Sequence, residues 1–142
     1  MKLTENFTLE EFLKSATAKA AGIENTPSEA ALANLKRLAN YLQRVRNCYM
    51  HPITISSGYR NKAVNALVPN SAKNSQHVSG EAADLITGSK VENRRLFELI
   101  RKMGGFDQLI DEADLSWIHV SYRAGRCRGE VLKMVKGKYY KV

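Results

Sequence analysis

The chain has 142 residues, of which 44% are hydrophobic and 25% are charged, and these values exclude disordered and collagen-like proteins. The length predicts one domain with a single hydrophobic core. The formal net charge of +8 favours an anionic partner, and nucleic acid, an acidic membrane surface and a cell-wall polyanion all meet that description.

The first segment of the sequence, MKLTENFTLEEFL, carries acidic residues and has no apolar run before a small-residue cleavage site, so it does not predict a signal peptide. No stretch approaches the roughly 18 apolar residues of a membrane span. Cys48 and Cys127 lie far apart without C-x-x-C spacing, which favours free thiols over a zinc ribbon or a disulfide framework. We therefore expect a protein made in the cytoplasm that has no membrane association.

Three segments carry a helix-start signature, a Ser or Thr that accepts from the first turn and a Glu three residues later that reaches back. The second of them places Pro27 at the first helical position and continues as an apolar stripe to about Asn47. The third runs to Met103 and meets the helix stop Gly104–Gly105. The three signatures are Thr8 to Glu11, Thr26 to Glu29, and Ser89 to Glu92.

Four short segments alternate or are apolar over strand length, and the tail predicts a terminal hairpin that turns at Lys136-Gly137. Helices followed by clustered strands predict an α+β domain, with an antiparallel or mixed sheet flanked by N-terminal helices. No composition break divides the chain, so we expect a single domain over residues 1–142, with a helical part at 1–50 and a metal-site part at 51–142. The four segments are 53–60, 81–86, 106–110 and 116–122.

Two of the three histidines, His77 and His119, are candidates for a metal site together with Asp84. Alternation places His119 on the strand face opposite the core-facing Ile118, and Gly80 allows a tight turn between His77 and Asp84. Two imidazoles and one carboxylate are a common ligand set for a catalytic zinc, which keeps a fourth position open for water. The alternative is that His77 is a polar loop residue and His119 a structural one.

Activating water requires a base, and Glu112 lies seven residues before His119 with Asp111 and Asp114 as neighbours. The alternative for these acids is a solvated turn between two strands. Arg60 follows a Ser-Ser-Gly-Tyr turn, where it can hold a carboxylate or stabilise an oxyanion, or be an unpaired surface arginine.

Basic residues concentrate in the tail from Arg123 to Lys141, where seven of them are offset only by Glu130. A binding patch and a solvated face both fit this composition. No recognised nucleic-acid motif is present, and aromatic residues are not interleaved with the basic ones outside Tyr139-Tyr140. We therefore expect no nucleic-acid partner.

Three motifs occur in order along the chain: I-S-S-G-Y-R at 55–60, S-x-H-x-x-G-x-A-x-D at 75–84, and F-D-Q-L-I-x-E with W-I-H-V-S at 106–121. Together they resemble the zinc D-alanyl-D-alanine carboxypeptidase family of peptidoglycan peptidases, whose fold is shared with D-Ala-D-Ala dipeptidases and the hedgehog signalling domain. The segments at 6–27 and 34–38 are similar to the phage-associated branch of this family, so the resemblance covers nearly the whole chain.

The resemblance implies Zn²⁺ as cofactor, with His77, Asp84 and His119 as its ligands. It also implies that Arg60 binds substrate or the developing oxyanion and that Ser75 contacts substrate. Tyr59 and Trp117, which flank these positions, are further candidates for substrate binding.

The base departs from the family pattern, because relatives with an E-x-x-H arrangement have an acid where this chain has Ser116. Glu112 is then the first candidate for the general base and Asp114 the second.

The resemblance implies a monomeric zinc peptidase that cuts stem peptides of bacterial peptidoglycan, as a D-Ala-D-Ala carboxypeptidase or an endolysin-type endopeptidase. Without an export signal, such an enzyme is expected to reach the wall after release from a host cell or on a virion, for phage lysis or wall penetration. Two alternatives are a non-catalytic zinc-binding recognition module of the same fold and a basic nucleic-acid-binding protein.

Overall fold

The computed structural model describes residues 1–142 and contains five helices and one six-stranded sheet. The α+β prediction is confirmed, and so are all four predicted internal strands and the terminal hairpin. The helices are α1 (Leu9–Leu13), α2 (Ala16–Ala21), α3 (Glu29–Tyr49), α4 (Lys62–Leu67) and α5 (Lys90–Met103). The strands are β1 (Thr54–Ser57), β2 (Ala82–Ile86), β3 (Gln108–Glu112), β4 (Trp117–Ser121), β5 (Glu130–Val135) and β6 (Lys138–Lys141).

Two of the three predicted helix starts are confirmed. Thr8 caps α1, and its side chain and that of Glu11 form the reciprocal capping box. Ser89 caps α5 by accepting from the Glu92 backbone N–H at 3.1 Å, and α5 ends before Gly104 as predicted.

The predicted start of α3 is wrong by two residues. Ser28, rather than Thr26, is the cap, because its Oγ accepts from the Ala31 backbone N–H at 3.1 Å. Pro27 therefore precedes the helix instead of opening it. The helix also continues past Asn47 to Tyr49, where Met50 adopts a left-handed conformation that ends it.

The sequence reading did not predict the short helices α2 and α4. Each is capped by one polar side chain, Ser15 accepting from the Ala18 N–H and Asn61 accepting from the Val64 N–H. Both have only six residues, too few for an apolar stripe of helical period to be recognised. Helix α4 lies in the segment that connects β1 with the loop of His77.

The sheet is mixed, with strand order β1-β2-β4-β3-β5-β6, and only the β3–β5 pair is parallel. Its core face carries Leu85, Leu109 and Ile118, which are fully buried under α3 and α5. Because side chains alternate along a strand, the polar residues between these positions point to the opposite face. That opposite face holds the candidate site.

One buried carboxylate joins the C-terminal hairpin to the rest of the domain. Asp107 is fully buried and accepts two bonds from the Arg128 guanidinium, at 2.8 and 2.9 Å. It also accepts from Gln76 at 2.8 Å. These hydrogen bonds with Arg128 outweigh burial and hold the pKa of Asp107 well below its usual range.

None of the five helices combines the length and the apolar character that a membrane span requires. Cys48 and Cys127 are both exposed free thiols, as predicted.

The turn before β2 requires glycine at position 80. Its φ is +77°, and an added Cβ would lie 2.5 Å from the Ala31 carbonyl oxygen on α3. We expect Gly80→Ala to lower the free energy of unfolding by about 2–4 kcal/mol, through backbone strain and overpacking. The control is Gly88→Ala, where an added Cβ has no neighbour within 4 Å. Thermal denaturation of both variants checks this, and equal melting temperatures would contradict it.

Candidate active site

The sheet brings two of the predicted metal ligands together directly. Asp84 on β2 and His119 on β4 are paired in the antiparallel ladder, so their side chains share a face. Oδ1 of Asp84 lies 3.2 Å from Nδ1 of His119. The flanking Ile118 and Val120 are fully buried on the other face, as strand alternation predicted.

His77 reaches the same carboxylate from the loop before β2. Its Nε2 lies 3.4 Å from Oδ1 of Asp84, and only 3% of the residue is exposed. Its Nδ1 donates to the Gly58 carbonyl at 2.7 Å, because a carbonyl oxygen can only accept. This bond fixes the tautomer and leaves the Nε2 lone pair free to bind a metal.

The three donor atoms fit a zinc ion. All of them lie within 4.8 Å of one another, and the two distances to Asp84, 3.4 and 3.2 Å, match the separation of about 3.3 Å between donors at tetrahedral zinc. Burial opposes ionisation of Asp84, but hydrogen bonds with His119 and His77 hold its pKa well below the usual range. A carboxylate that stays ionised beside two imidazoles is a suitable donor set for Zn²⁺.

Glu112 lies on the same face, one position diagonal to His119. It pairs with Trp117 across β3 and β4, while Ile110 pairs with His119. Its exposed fraction is 9%, and its Oε1 is buried without a hydrogen-bond partner. Burial raises the pKa of Glu112, and the charge of Asp84 adds to that effect while the charge of His119 opposes it.

The other acids near the site point elsewhere. The side chain of Asp114 is 79% exposed and lies 3.7 Å from Lys90. Asp111 accepts from the Leu115 backbone N–H at 2.7 Å, which stabilises the turn before β4. Ser116 is exposed and donates to the Ala113 carbonyl at 2.6 Å. Of the two candidate bases, only Glu112 therefore shares a face with the metal donors.

Arg60 is tied to the metal loop through its backbone. Its N–H donates to the His77 carbonyl at 3.1 Å, while Nε of its side chain is buried without a partner. Burial lowers the pKa of this guanidinium, and the charge of Asp84 opposes that effect. A half-buried guanidinium with a free donor near Asp84 is suited to bind an anionic group.

The remaining predicted substrate contacts differ in accessibility. Trp117 is half-buried on the site face. Ser75 uses its Oγ to accept from the His77 backbone N–H at 3.1 Å, so it supports the metal loop. Tyr59 is 5% exposed and packs in the hydrophobic core, so its burial argues against the predicted contact with substrate.

Two parts of the site were missed by sequence reasoning. The Gly58 carbonyl is a backbone group, and no side-chain pattern reports it. Tyr139 lies close enough to Glu112 for the two to influence each other's pKa. The Lys-Tyr-Tyr-Lys alternation of β6 places one tyrosine on each face, but choosing between them requires the strand order.

Cavity size does not locate this site. One cavity of about 690 Å³ is lined by residues between Lys62 and Asn74 and contains none of the three donors. The chemistry of the donors therefore identifies the site.

Comparison with protein families gives one match, to the family described as peptidase M15, over residues 5–121. The chain belongs to the peptidase M15 family. This confirms the predicted family and supports a peptidase, hence a hydrolase. The matched segment contains all three metal donors, Arg60 and Glu112 and ends at Ser121, before β5 and β6. The comparison with curated proteins finds no match.

We expect this M15 peptidase to bind about one zinc ion per chain through its three donors. His77→Ala or Asp84→Ala should weaken zinc binding by more than the roughly 10–100-fold that loss of an outer-shell partner costs. His51→Ala is the control, because His51 is exposed and packs on Tyr49. Metal analysis and zinc titration check this, and wild-type zinc affinity in His77→Ala would refute the ligand assignment.

The raised pKa of Glu112 predicts an effect on stability in the metal-free protein. Because the pKa is higher in the folded than in the unfolded chain, any stabilisation by this carboxyl is present at acidic pH and is lost as the pH rises through its folded value. At neutral pH the buried carboxylate should therefore destabilise the fold. We expect metal-free Glu112→Gln to melt above wild type at pH 7, with the difference disappearing below about pH 4.

The exposed Asp114→Asn is the matched control and should show no such gain. Thermal denaturation across this pH range in the presence of a chelator makes the comparison. A Glu112→Gln protein that is less stable than wild type at pH 7 would contradict the burial argument.

Proposed function

We propose that the protein is a zinc-dependent peptidase that hydrolyses peptide bonds in the stem peptides of bacterial peptidoglycan. The observation that carries this proposal is the convergence of His77 Nε2, Asp84 Oδ1 and His119 Nδ1 within 4.8 Å, with Glu112 on the same sheet face. Membership of the M15 family supports it.

The three donors would hold Zn²⁺ and leave one side of it open to solvent and substrate. When bound, the ion supplies Lewis acidity, which polarises a peptide carbonyl and makes water more acidic. The Gly58 carbonyl accepts a hydrogen bond from Nδ1 of His77, so Nε2 of this imidazole is left to bind the ion.

Glu112 acts as the general base. Its pKa, raised by burial, lies closer to neutrality than that of an exposed glutamate, which suits a group that both takes and returns a proton. It takes the proton from the attacking water and delivers it to the leaving amine. No other candidate acid shares the face of His119.

Arg60 binds a negative group of the substrate. Its planar guanidinium can hold a C-terminal carboxylate or the oxyanion that develops during attack. The donor at Nε is already desolvated and unpaired, so a substrate oxygen that reaches it restores a hydrogen bond instead of displacing one.

The net charge of +8 favours association with the anionic wall over neutral peptides. The D-Ala-D-Ala bond, the L-Ala to D-Glu bond and crossbridge bonds all present the same carbonyl to these groups. Selectivity among them is expected to arise in the segments that form the pocket walls, such as residues 61–74, which include α4.

The biological setting is part of the proposal. The similarity of residues 6–27 to the phage-associated branch supports a lytic or wall-penetrating enzyme that is made in the cytoplasm and acts on the wall after release. We propose that it acts as a monomer, because the three donors, Glu112 and Arg60 all come from one chain.

Digestion of purified peptidoglycan tests this function. The zinc-loaded wild type should release fragments with new amino and carboxyl termini, which mass spectrometry identifies and which name the bond. His77→Ala should release none. Intact zinc binding without cleavage of any muropeptide would indicate a recognition module, and salt-sensitive DNA binding that persists after chelation would indicate a nucleic-acid-binding protein.

Replacing the base should separate catalysis from metal binding. We expect Glu112→Gln to lower kcat by about 100- to 10,000-fold while its zinc content stays at the wild-type level. Asp114→Asn, with its exposed side chain, should retain near wild-type turnover. The reverse pattern, activity in Glu112→Gln and none in Asp114→Asn, would assign the base to Asp114.

A further inference from the structure

The C-terminal hairpin, β5 with β6, lies outside the residues that match the family, yet it extends the site face of the sheet. The parallel register of β3 and β5 pairs Asp111 with Lys133, so the next position places Glu112 beside Met134. Met134 in turn pairs with Tyr139 on β6. Paired residues share a face, so Tyr139 lies in the same row as Glu112.

The phenol of Tyr139 neighbours the Glu112 carboxylate. Burial raises the pKa of Tyr139, and the charge of Glu112 and a hydrogen bond with it add to the increase. A hydrogen bond from the phenol would favour the ionised form of Glu112 and oppose the effect of burial. Tyr140, which pairs with Lys133 on the opposite face, has a similar exposed fraction, 53% against 56%.

The hairpin is held firmly enough to position a side chain. Strand β5 is hydrogen-bonded along β3, and Arg128, two residues before it, makes the paired bonds to buried Asp107. Asp107 also accepts from Gln76, the neighbour of His77. The residue that leads into the hairpin and the loop that carries His77 are therefore tied to one carboxylate.

We propose that Tyr139 is a positioning residue for the general base: its phenol donates a hydrogen bond to Glu112 and holds the carboxylate directed towards the metal donors. This inference rests on the proposed function. A glutamate side chain has three rotatable bonds, and Oε1 of Glu112 has no hydrogen-bond partner. A fixed hydrogen-bond donor at the other oxygen would therefore restrict the carboxylate to a reactive orientation.

The test compares Tyr139→Phe with Tyr140→Phe in the zinc-loaded protein, using a muropeptide that the wild type cleaves. Loss of a hydrogen bond to a charged group should lower kcat by about 10- to 100-fold, with KM within about twofold of wild type because the ring remains. Tyr140→Phe should match wild type. Wild-type kcat in Tyr139→Phe, or a raised KM with unchanged kcat, would overturn the proposal, the latter indicating direct contact with substrate.

A double-mutant cycle tests whether Tyr139 acts through Glu112. Shortening the base by Glu112→Asp withdraws the carboxylate from the phenol and leaves residual turnover to measure. We expect Tyr139→Phe to cause no further loss in that background. A full additional loss would show that Tyr139 acts independently of Glu112 and would overturn the proposal.

A titration that needs no peptidase activity separates this inference from the proposed function. NMR of the metal-free protein labelled with ¹³C at the tyrosine ring follows each phenol, and Tyr139→Phe assigns the resonance. The pKa of Tyr139 should lie above the ordinary value of a tyrosine and fall in Glu112→Gln. An unchanged Tyr139 titration in Glu112→Gln overturns the contact, whereas a fall in pKa alongside an inactive wild type overturns only the peptidase function.

Discussion

The hydrogen bond from His77 to the Gly58 carbonyl connects the loop before β2 with the turn after β1. Gly58 follows β1, and an added Cβ there would lie 2.6 Å from the Phe12 carbonyl oxygen, so α1 rests directly on this turn. The next residue, Tyr59, donates its backbone N–H to the Phe12 carbonyl at 2.7 Å. One short turn thus joins the N-terminal helix to the metal loop and sets the tautomer of the first zinc donor.

Two carboxylates on one sheet face have opposite electrostatic environments. Asp84 is ionised because two imidazoles compensate its burial, whereas Glu112 has an unpaired oxygen and a raised pKa. A metal ligand must stay ionised, while a general base must exchange a proton near neutral pH. The surroundings of Asp84 therefore suit it to bind a metal, and those of Glu112 suit it to exchange a proton, although the two side chains differ by one methylene.

Local patterns were enough to predict the strands and the ends of α5, because each depends on neighbours in sequence. The metal-ligand set was implied by the family resemblance, and the structure brings His77, Asp84 and His119 together. Alternation placed His119 opposite the buried Ile118, and strand pairing confirmed it. The sequence assigned the cap of α3 to Thr26 because Glu29 follows it at the spacing of a capping box. In the structure the cap is Ser28, which stands two residues later. The contact of Tyr139 with Glu112 depends on β5 joining β3 in parallel, a long-range pairing that no local pattern encodes.

The distribution of unpaired polar atoms connects the fold with its chemistry. Four side-chain atoms are buried without a hydrogen-bond partner, and two of them belong to Arg60 and Glu112. Each such atom costs folding free energy, so a chain selected for stability alone would have paired or replaced it. Both residues lie near Asp84, whose charge affects the pKa of each. Arg60 and Glu112 thus offer a free donor and a free acceptor beside the His77, Asp84 and His119 cluster, which is where the proposed reaction needs them.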